Sequence, residues 1–421
     1  MYHFIYPTRD TWITSGSSKI TGESFRDQNF GQDDILELKK VFQDNAFEYQ
    51  TRALVNFEGS NFTDMSKSVA DGKIPNGARY FLRLYESEGN AELSEEYTLS
   101  AHPLYKSWVE GSGKSNDNPK NTSGVSWDNR NNPADANEIS WSYRDASINL
   151  AIAGDEDLNG VEFAEFHVAF GSSSQTFGNV TGSDYLSNDN DDKGGLWITR
   201  DGYIASQSFS LQSVDVNMDV TNIVNKWLDN TISNYGFILK FSGSQETDEK
   251  TFGHLKFFSR HTNTIFQPKL EVRWDDHTAC SGSNTGSLTE LTMSGLADNY
   301  LEVRGLRESY RQGEKVKFRV NARKRYIEKS FATSTQDVVG SFIPENSGSY
   351  AIKDLATDEF IVPFSDDYTL ISCDSEGPYF IQWLDGFYIN RDYKILLKLK
   401  TDDGREQIFD DGFNFTVKEG V

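Results

Sequence analysis

Between Leu211 and Phe241 the hydrophobic period changes twice, and few architectures accommodate that. Val214, Val216 and Met218 alternate with Asp215 and Asn217, the two-residue period of a half-buried strand. Asp219 stands where a helix N-cap belongs. Val220, Ile223, Val224, Trp227 and Leu228 follow at spacings of three and four, which places them on one face of a short helix. Asp229-Asn230 and Asn234-Tyr235-Gly236 end the helix, and Phe237, Leu239 and Phe241 resume the two-residue period. So short a helix is marginal alone. Its apolar face is therefore expected to plug the end of a β-sandwich made by the flanking strands.

The rest of the chain fits an all-β protein. Its 421 residues predict two or three domains. Aromatics at 13%, set among many Gly, Ser, Asn and Asp residues, suit sandwich cores joined by long loops. A net charge of −23 argues against a general binder of nucleic acid or anionic membrane, either of which needs a cationic face. No apolar run reaches membrane-spanning length. Met1-Tyr2-His3-Phe4 opens without a basic region followed by an apolar core, so no cleaved export signal is expected. The two cysteines, Cys280 and Cys373, are either a disulfide pair or, as the expected lack of an export signal favours, reduced thiols.

Strands are predicted at Thr11-Trp12-Ile13, around Leu36 and Leu38, at Thr51–Phe57, at Arg79–Tyr85 and at Tyr97–Leu104. Tyr80, Leu82 and Leu84 alternate with Arg79, Phe81, Arg83 and Tyr85, so both faces of that strand carry large stems and it is expected to be central. Residues 128–205 read as an insertion. Within it, Ile148–Ile152 alternates, Val161–Phe170 changes phase as at a bulge, and Ser183–Gly195 is an acidic loop. The polar Gly/Ser-rich stretch 277–288 reads as a linker. Beyond it, Val316, Phe318 and Val320, then Tyr379–Leu384, Ile395–Leu399 and Phe413, Phe415 and Val417, predict an immunoglobulin-like β-sandwich over 289–421.

An ordered set of short motifs runs through the first 276 residues: Asp10-Thr11, Asn29-Phe30-Gly31, Arg52-Ala53-Leu54-Val55-Asn56-Phe57, Leu82-Arg83-Leu84, Trp108-Val109-Glu110, Gly124 to Trp127, Asp219-Val220-Thr221 with Trp227, and Pro268 to Val272. In this order they resemble the DNRLRE-type jelly-roll domain, which is akin to carbohydrate-binding-module sandwiches. The resemblance implies an N-terminal jelly-roll β-sandwich over 1–276 with one short helix. The long 128–205 region departs from the pattern, and the family is functionally mixed, so the fold does not fix the function.

Motifs that carry chemistry are sparse. His-Glu-x-x-His, Gly-x-Ser-x-Gly, phosphate-loop and Cys-x-x-Cys patterns are missing from the sequence. A glycosidase needs two carboxylates roughly 5–10 Å apart, and the acids here are too numerous for sequence to select a pair. Three candidate sites remain. Asp155, Asp157 and Asn159, followed by Gly160, match the first half of a calcium loop. There the Val161 carbonyl is the next ligand and Glu162 or Glu165 stands in for the residue that Phe166 displaces; an ion held there would be structural. The alternative is an ordinary Asp/Asn/Gly turn. Trp108, Trp127, Trp141 and Trp197 offer either a sugar-stacking platform or anchors that pin long loops to the sandwich. Finally, Glu302–Lys329 holds ten Lys/Arg against four Glu. Within it, Arg304, Arg307, Arg311, Arg323, Lys324 and Arg325 form either a solvated face or a docking patch for an acidic neighbour, such as another copy of the chain.

From Met1-Tyr2-His3-Phe4-Ile5-Tyr6-Pro7-Thr8-Arg9-Asp10-Thr11-Trp12 onward, the whole chain also resembles virion structural proteins of tailed phages that infect marine cyanobacteria. That resemblance implies a non-enzymatic protein located in the virion after assembly in host cytoplasm. Its partners would be other virion proteins or its own copies, with no nucleic acid and no membrane insertion. A carbohydrate-binding appendage touching host polysaccharide is the alternative, and a glycan-degrading enzyme a third.

Overall fold

The computed structural model describes all residues except 18–21, 44–45, 89–95, 133–137, 142–166, 171–172, 177–193, 199–201, 211–214, 247, 252, 327–339 and 421. The fold is all-β, with two α-helices among the described residues. The chain divides into two units. One is Ile5–Glu271; the other joins Met1–Phe4 to Val272–Val421.

The N-terminal unit is built on the strand Ala46–Asn56, where Ala53, Leu54 and Val55 are all fully buried. Consecutive residues of a strand point to opposite faces, so this one is covered on both. It also changes neighbour along its length. Lys40↔Gln50 to Gln43↔Ala46 pair it with Ile35–Gln43, Arg9↔Asn56 to Thr14↔Thr51 pair it with Arg9–Thr14, and Val55↔Phe237 pairs it with Phe237–Phe241. Glu96–Pro103 and Ala205–Ser210 extend the sheet beyond Phe237–Phe241, and Gly253–Phe258 and Glu86–Glu88 extend it beyond Ile35–Gln43. A second sheet sets Arg79–Leu84 between Val216–Asp219 and Lys269–Arg273, the inner position its two-sided pattern predicts. Tyr80, Leu82 and Leu84 are buried, while Phe81 and Arg83 are half-buried.

The predicted short helix is Thr221–Leu228, with Ile223, Val224 and Trp227 buried. The Trp227 ring lies 4.6 Å from Phe237 and 6.2 Å from Phe62. Its capping differs from expectation. Val220 occupies the N-cap position, and Asp219 acts one residue earlier by accepting from the Thr221 N–H at 3.0 Å. A second helix, Gly59–Ala70, was not read from the sequence: Phe62, Met65 and Val69 recur at spacings of three and four, but only Met65 among its residues is fully buried and so thin a stripe is easily lost among polar residues.

The C-terminal unit is a β-sandwich. One sheet holds Lys315–Lys324 with Gly377–Trp383, Ser372–Asp374, Ser341–Phe342, Thr289–Glu290 and Asn299–Arg304; the other holds Arg391–Lys400 between Glu406–Lys418 and Gly348–Asp354, with Ser309–Arg311 and Phe360–Val362 at its edges. Rings interlock between the sheets. Phe318 stacks on Phe380 at 5.0 Å, Phe380 on Tyr350 at 4.0 Å, and Phe318 lies 5.8 Å from Phe415. Offset and edge-on aromatic pairs of this kind add to the area they bury. Residues 277–288, which composition reads as a linker, belong to this unit. Cys280 is buried, its N–H donates to Glu345 at 2.6 Å, and Gly282–Thr285 forms a 3₁₀ turn. Gly/Ser content alone does not distinguish a free tether from a pinned loop. Cys280 and Cys373 are free buried thiols.

Candidate functional site

The sheet around Lys315–Lys324 presents an unusual outer face. Val316, Phe318, Val320 and Ala322 point inward and are buried, so Lys315, Lys317, Arg319, Asn321 and Arg323 point outward. Residues directly opposite each other in a sheet share a face. The register sets Lys315 against Trp383, Lys317 against Ile381 and Arg319 against Tyr379, and on Asn299–Arg304 it sets Arg304 against Arg319 and Tyr300 against Arg323. Cations thus lie over rings: Lys315 Nζ is 5.1 Å from Trp383, Lys317 Nζ 3.7 Å from Tyr379 and the Arg323 guanidinium 4.5 Å from Tyr300. Such pairs keep the positive charge at the surface while the stems cover aromatic area.

Part of this charge is spent internally. Asp374 accepts from Lys317 at 2.7 Å and pairs with Arg319, whose second nitrogen reaches Glu376 at 2.8 Å. Burial works against ionising Asp374, but the hydrogen bonds from Arg319 and Lys317 outweigh it and hold the carboxyl well below the ordinary range. Arg304, Arg311, Lys315, Lys324 and Arg325 are exposed and enter no ion pair among the described residues. Of the six cations read from sequence, Arg304, Arg323 and Lys324 lie in one sheet and Arg325 directly follows its Lys315–Lys324 strand. Arg311 ends Ser309–Arg311 in the opposite sheet and Arg307 just precedes that strand, paired to Glu314 and laid 4.1 Å over Tyr310. Lys315, Lys317, Arg319 and their ring partners were missed as a site. Their alternation was visible, but the register that brings Tyr300, Tyr379 and Trp383 alongside was not.

The burial of the four tryptophans agrees with the anchor reading and not with the sugar platform. Trp108, Trp127, Trp141 and Trp197 are 0–2% exposed and form one core cluster with Ile13, Leu54, Leu104, Val125, Leu196 and Ile238. No ring face is open to a sugar. The stacking geometry exists, but the chain's own Arg52 occupies it, its guanidinium 4.5 Å from the Trp127 ring and 4.8 Å from Trp197. Arg52 Nε donates to Glu246 at 2.7 Å and its terminal nitrogen to the Gly194 carbonyl at 2.6 Å. Glu246 also accepts from Lys240 at 2.5 Å. Gly194 has φ +101°, and a Cβ there would lie 2.6 Å from both Arg52 and Trp127, so only glycine lets the backbone close over this pair. The calcium-loop residues Asp155, Asp157, Asn159, Val161 and Glu162, and the strand at Ile148–Ile152, lie outside the described residues. Of Val161–Phe170, the described part is the strand His167–Phe170, paired with Ser173–Thr176 and Leu196–Ile198.

No family model and no curated protein matches the chain. Among solved structures, the beta-1,2-glucanase from Parabacteroides distasonis aligns over 100% of this chain at 9% identity with a TM-score of 0.16, and the chain spans 37% of that protein's length. A likeness at that score supports no inference about fold or function.

Proposed function

We propose that this chain is a non-enzymatic structural component of a tailed-phage virion, in a neck, tail, baseplate, fibre or capsid-decoration position, and that it acts through protein–protein interfaces. The observation that carries the reading is the cation–aromatic face formed by Tyr300, Arg304, Lys315, Lys317, Arg319, Arg323, Tyr379 and Trp383 on a chain of net charge −23. Aromatic residues and Arg are the side chains that interfaces favour. A local basic face on an acidic chain complements the acidic surface of a second copy, and opposite potentials orient the encounter. Repetition by symmetry then multiplies weak contacts. The resemblance of the whole sequence to cyanophage virion proteins supplies the setting.

The test is self-association of the purified full chain by sedimentation, alongside mass spectrometry of purified particles. Charge reversal of Arg304, Arg323, Lys324 and Arg325 to Glu is expected to block assembly without unfolding the sandwich, because these side chains stand at its surface. Assembly that ignores the reversal removes the reading. A glycan array adds the competing outcome. Binding of an acidic polysaccharide that is lost in Trp383→Ala would mark the face as a carbohydrate-binding surface instead.

A further inference from the structure

Three segments far apart in sequence converge in the N-terminal unit. Asp10 lies on the Arg9–Thr14 strand, Glu110 follows the buried Trp108, and Arg260-His261 follow the Gly253–Phe258 strand. One carboxylate oxygen from each of Asp10 and Glu110 and one ring nitrogen of His261 lie within 4.8 Å of one another. The loop carrying Glu110 is held rigidly. Asn29 donates to the Glu110 and Val125 carbonyls at 2.7 Å each and accepts from the Gly31 and Gly113 N–H groups at 3.1 and 2.8 Å. Gly111, at φ +84°, passes so close that a Cβ would stand 2.2 Å from the Ser123 carbonyl oxygen.

The hydrogen bonding within the cluster leaves one group over. Glu110 Oε1 accepts from the Asp10 N–H at 3.0 Å, from Arg260 Nε at 2.8 Å and lies 3.3 Å from His261 Nε2, while Oε2 accepts from the second Arg260 nitrogen at 3.2 Å. Asp10 Oδ2 accepts from the Arg260 N–H at 2.6 Å. Among the described residues Asp10 Oδ1 has no hydrogen-bond partner, although Asp10 is 1% exposed. A buried carboxylate oxygen without a partner is costly. A cation between the two acids removes that cost. Imidazole with two carboxylates is a ligand set for first-row divalent ions such as Zn²⁺ rather than for Ca²⁺, which takes oxygen alone. At Zn–ligand distances of about 2.0–2.2 Å, a modest inward movement of the three groups suffices.

We propose that Asp10, Glu110 and His261 bind a divalent transition-metal ion of the Zn²⁺ class, and that Arg260 holds the place of its charge when the site is empty. The His261 and Glu110 side chains are 20% and 12% exposed and that of Arg260 is 31% exposed, so the ion has an entry path and the guanidinium has solvent to swing into. The ion is a staple. It ties the Arg9–Thr14 strand to the Glu110 loop and to the turn after Gly253–Phe258, and binding to the folded chain alone raises stability in proportion to the logarithm of metal concentration.

The experiment is calorimetric titration and thermal melting of the chelator-stripped full chain with ZnCl₂. One equivalent is expected to bind and Tm to rise with metal concentration. His261→Gln and Asp10→Asn are each expected to abolish both effects, and Arg260→Gln to tighten binding several-fold, because it removes the competing charge. A merely structural cluster gives the opposite pattern, in which Arg260→Gln only destabilises. Absence of heat with the folded wild-type chain overturns the site, as does binding that persists unchanged in His261→Gln. Should Asp10→Asn fail to fold, the partly exposed His261 variant decides alone.

Discussion

Arg52 shows how far a single residue type can be read from sequence. An Arg directly followed by the buried run Ala53-Leu54-Val55 in the strand Ala46–Asn56 signals a partnered charge. Its partners Trp127, Gly194 with Trp197, and Glu246 come from three separate segments that no local pattern joins. The tryptophans were legible as important, but their occupant was not. Removing one member of a buried ionic network strands the others. Arg52→Ala is therefore expected to cost about 3–5 kcal/mol, and Arg52→Lys to recover little of it, since an ammonium cannot stack flat between two rings; urea denaturation measures both. His102 makes a second prediction in the same region. Its Nδ1 lies 3.2 Å from the Ile198 carbonyl and its Nε2 3.1 Å from Ser100 Oγ, an arrangement that suits the neutral ring. Burial, then the Lys240 charge and to a smaller degree that of Arg52, lower its pKa from 6.5 to about 3, against the opposing Ile198 bond. Between those values the unfolded chain binds a proton that the folded chain refuses. Stability is thus full above about pH 6.5 and falls as pH drops toward 3, by at most about 1.4 kcal/mol per pH unit from this group. His102→Gln is expected to flatten that limb in melts recorded from pH 7 to pH 4.

Elements were legible where burial and period coincide. The Thr221–Leu228 helix shows a broad stripe because Ile223, Val224 and Trp227 all go inward, whereas Gly59–Ala70 fully buries Met65 alone and its stripe of Phe62, Met65 and Val69 is thin. The strands Lys315–Lys324 and Arg79–Leu84 were read from alternation, but strand registers were not, and the cation–aromatic face is a property of register. Trp227 carries the shorter helix. It is 4% exposed and packs on Phe237 and Phe62. Trp227→Ala is expected to cost about 3–5 kcal/mol, read as a lower urea midpoint with loss of the near-ultraviolet signal.

Over the whole molecule, one short segment departs from sequence order. Met1–Phe4 belongs to the C-terminal unit, where the Tyr2 carbonyl accepts from Gln382 at 2.7 Å and Phe4 lies 5.8 Å from Phe387. No composition shift marks so short a segment as belonging to distant sequence. Charge is the other global property. If the basic face of the C-terminal sheet meets acidic surface in assembly, association is expected to weaken steeply between low and physiological salt, where the screening length falls to about 8 Å. Sedimentation of the wild-type chain across a salt series measures this.

The strand Ala46–Asn56 leaves the ribosome long before the partner it needs on one side. Val55 pairs with Phe237, and at about 5–20 residues per second synthesis takes roughly 10–40 s to bridge that gap. Throughout that time a fully apolar stretch, Ala53-Leu54-Val55, has one edge without a neighbour, the condition under which nascent chains stick to each other. A polypeptide halted at Asn230 is therefore expected to pellet, while the full-length product stays in the supernatant.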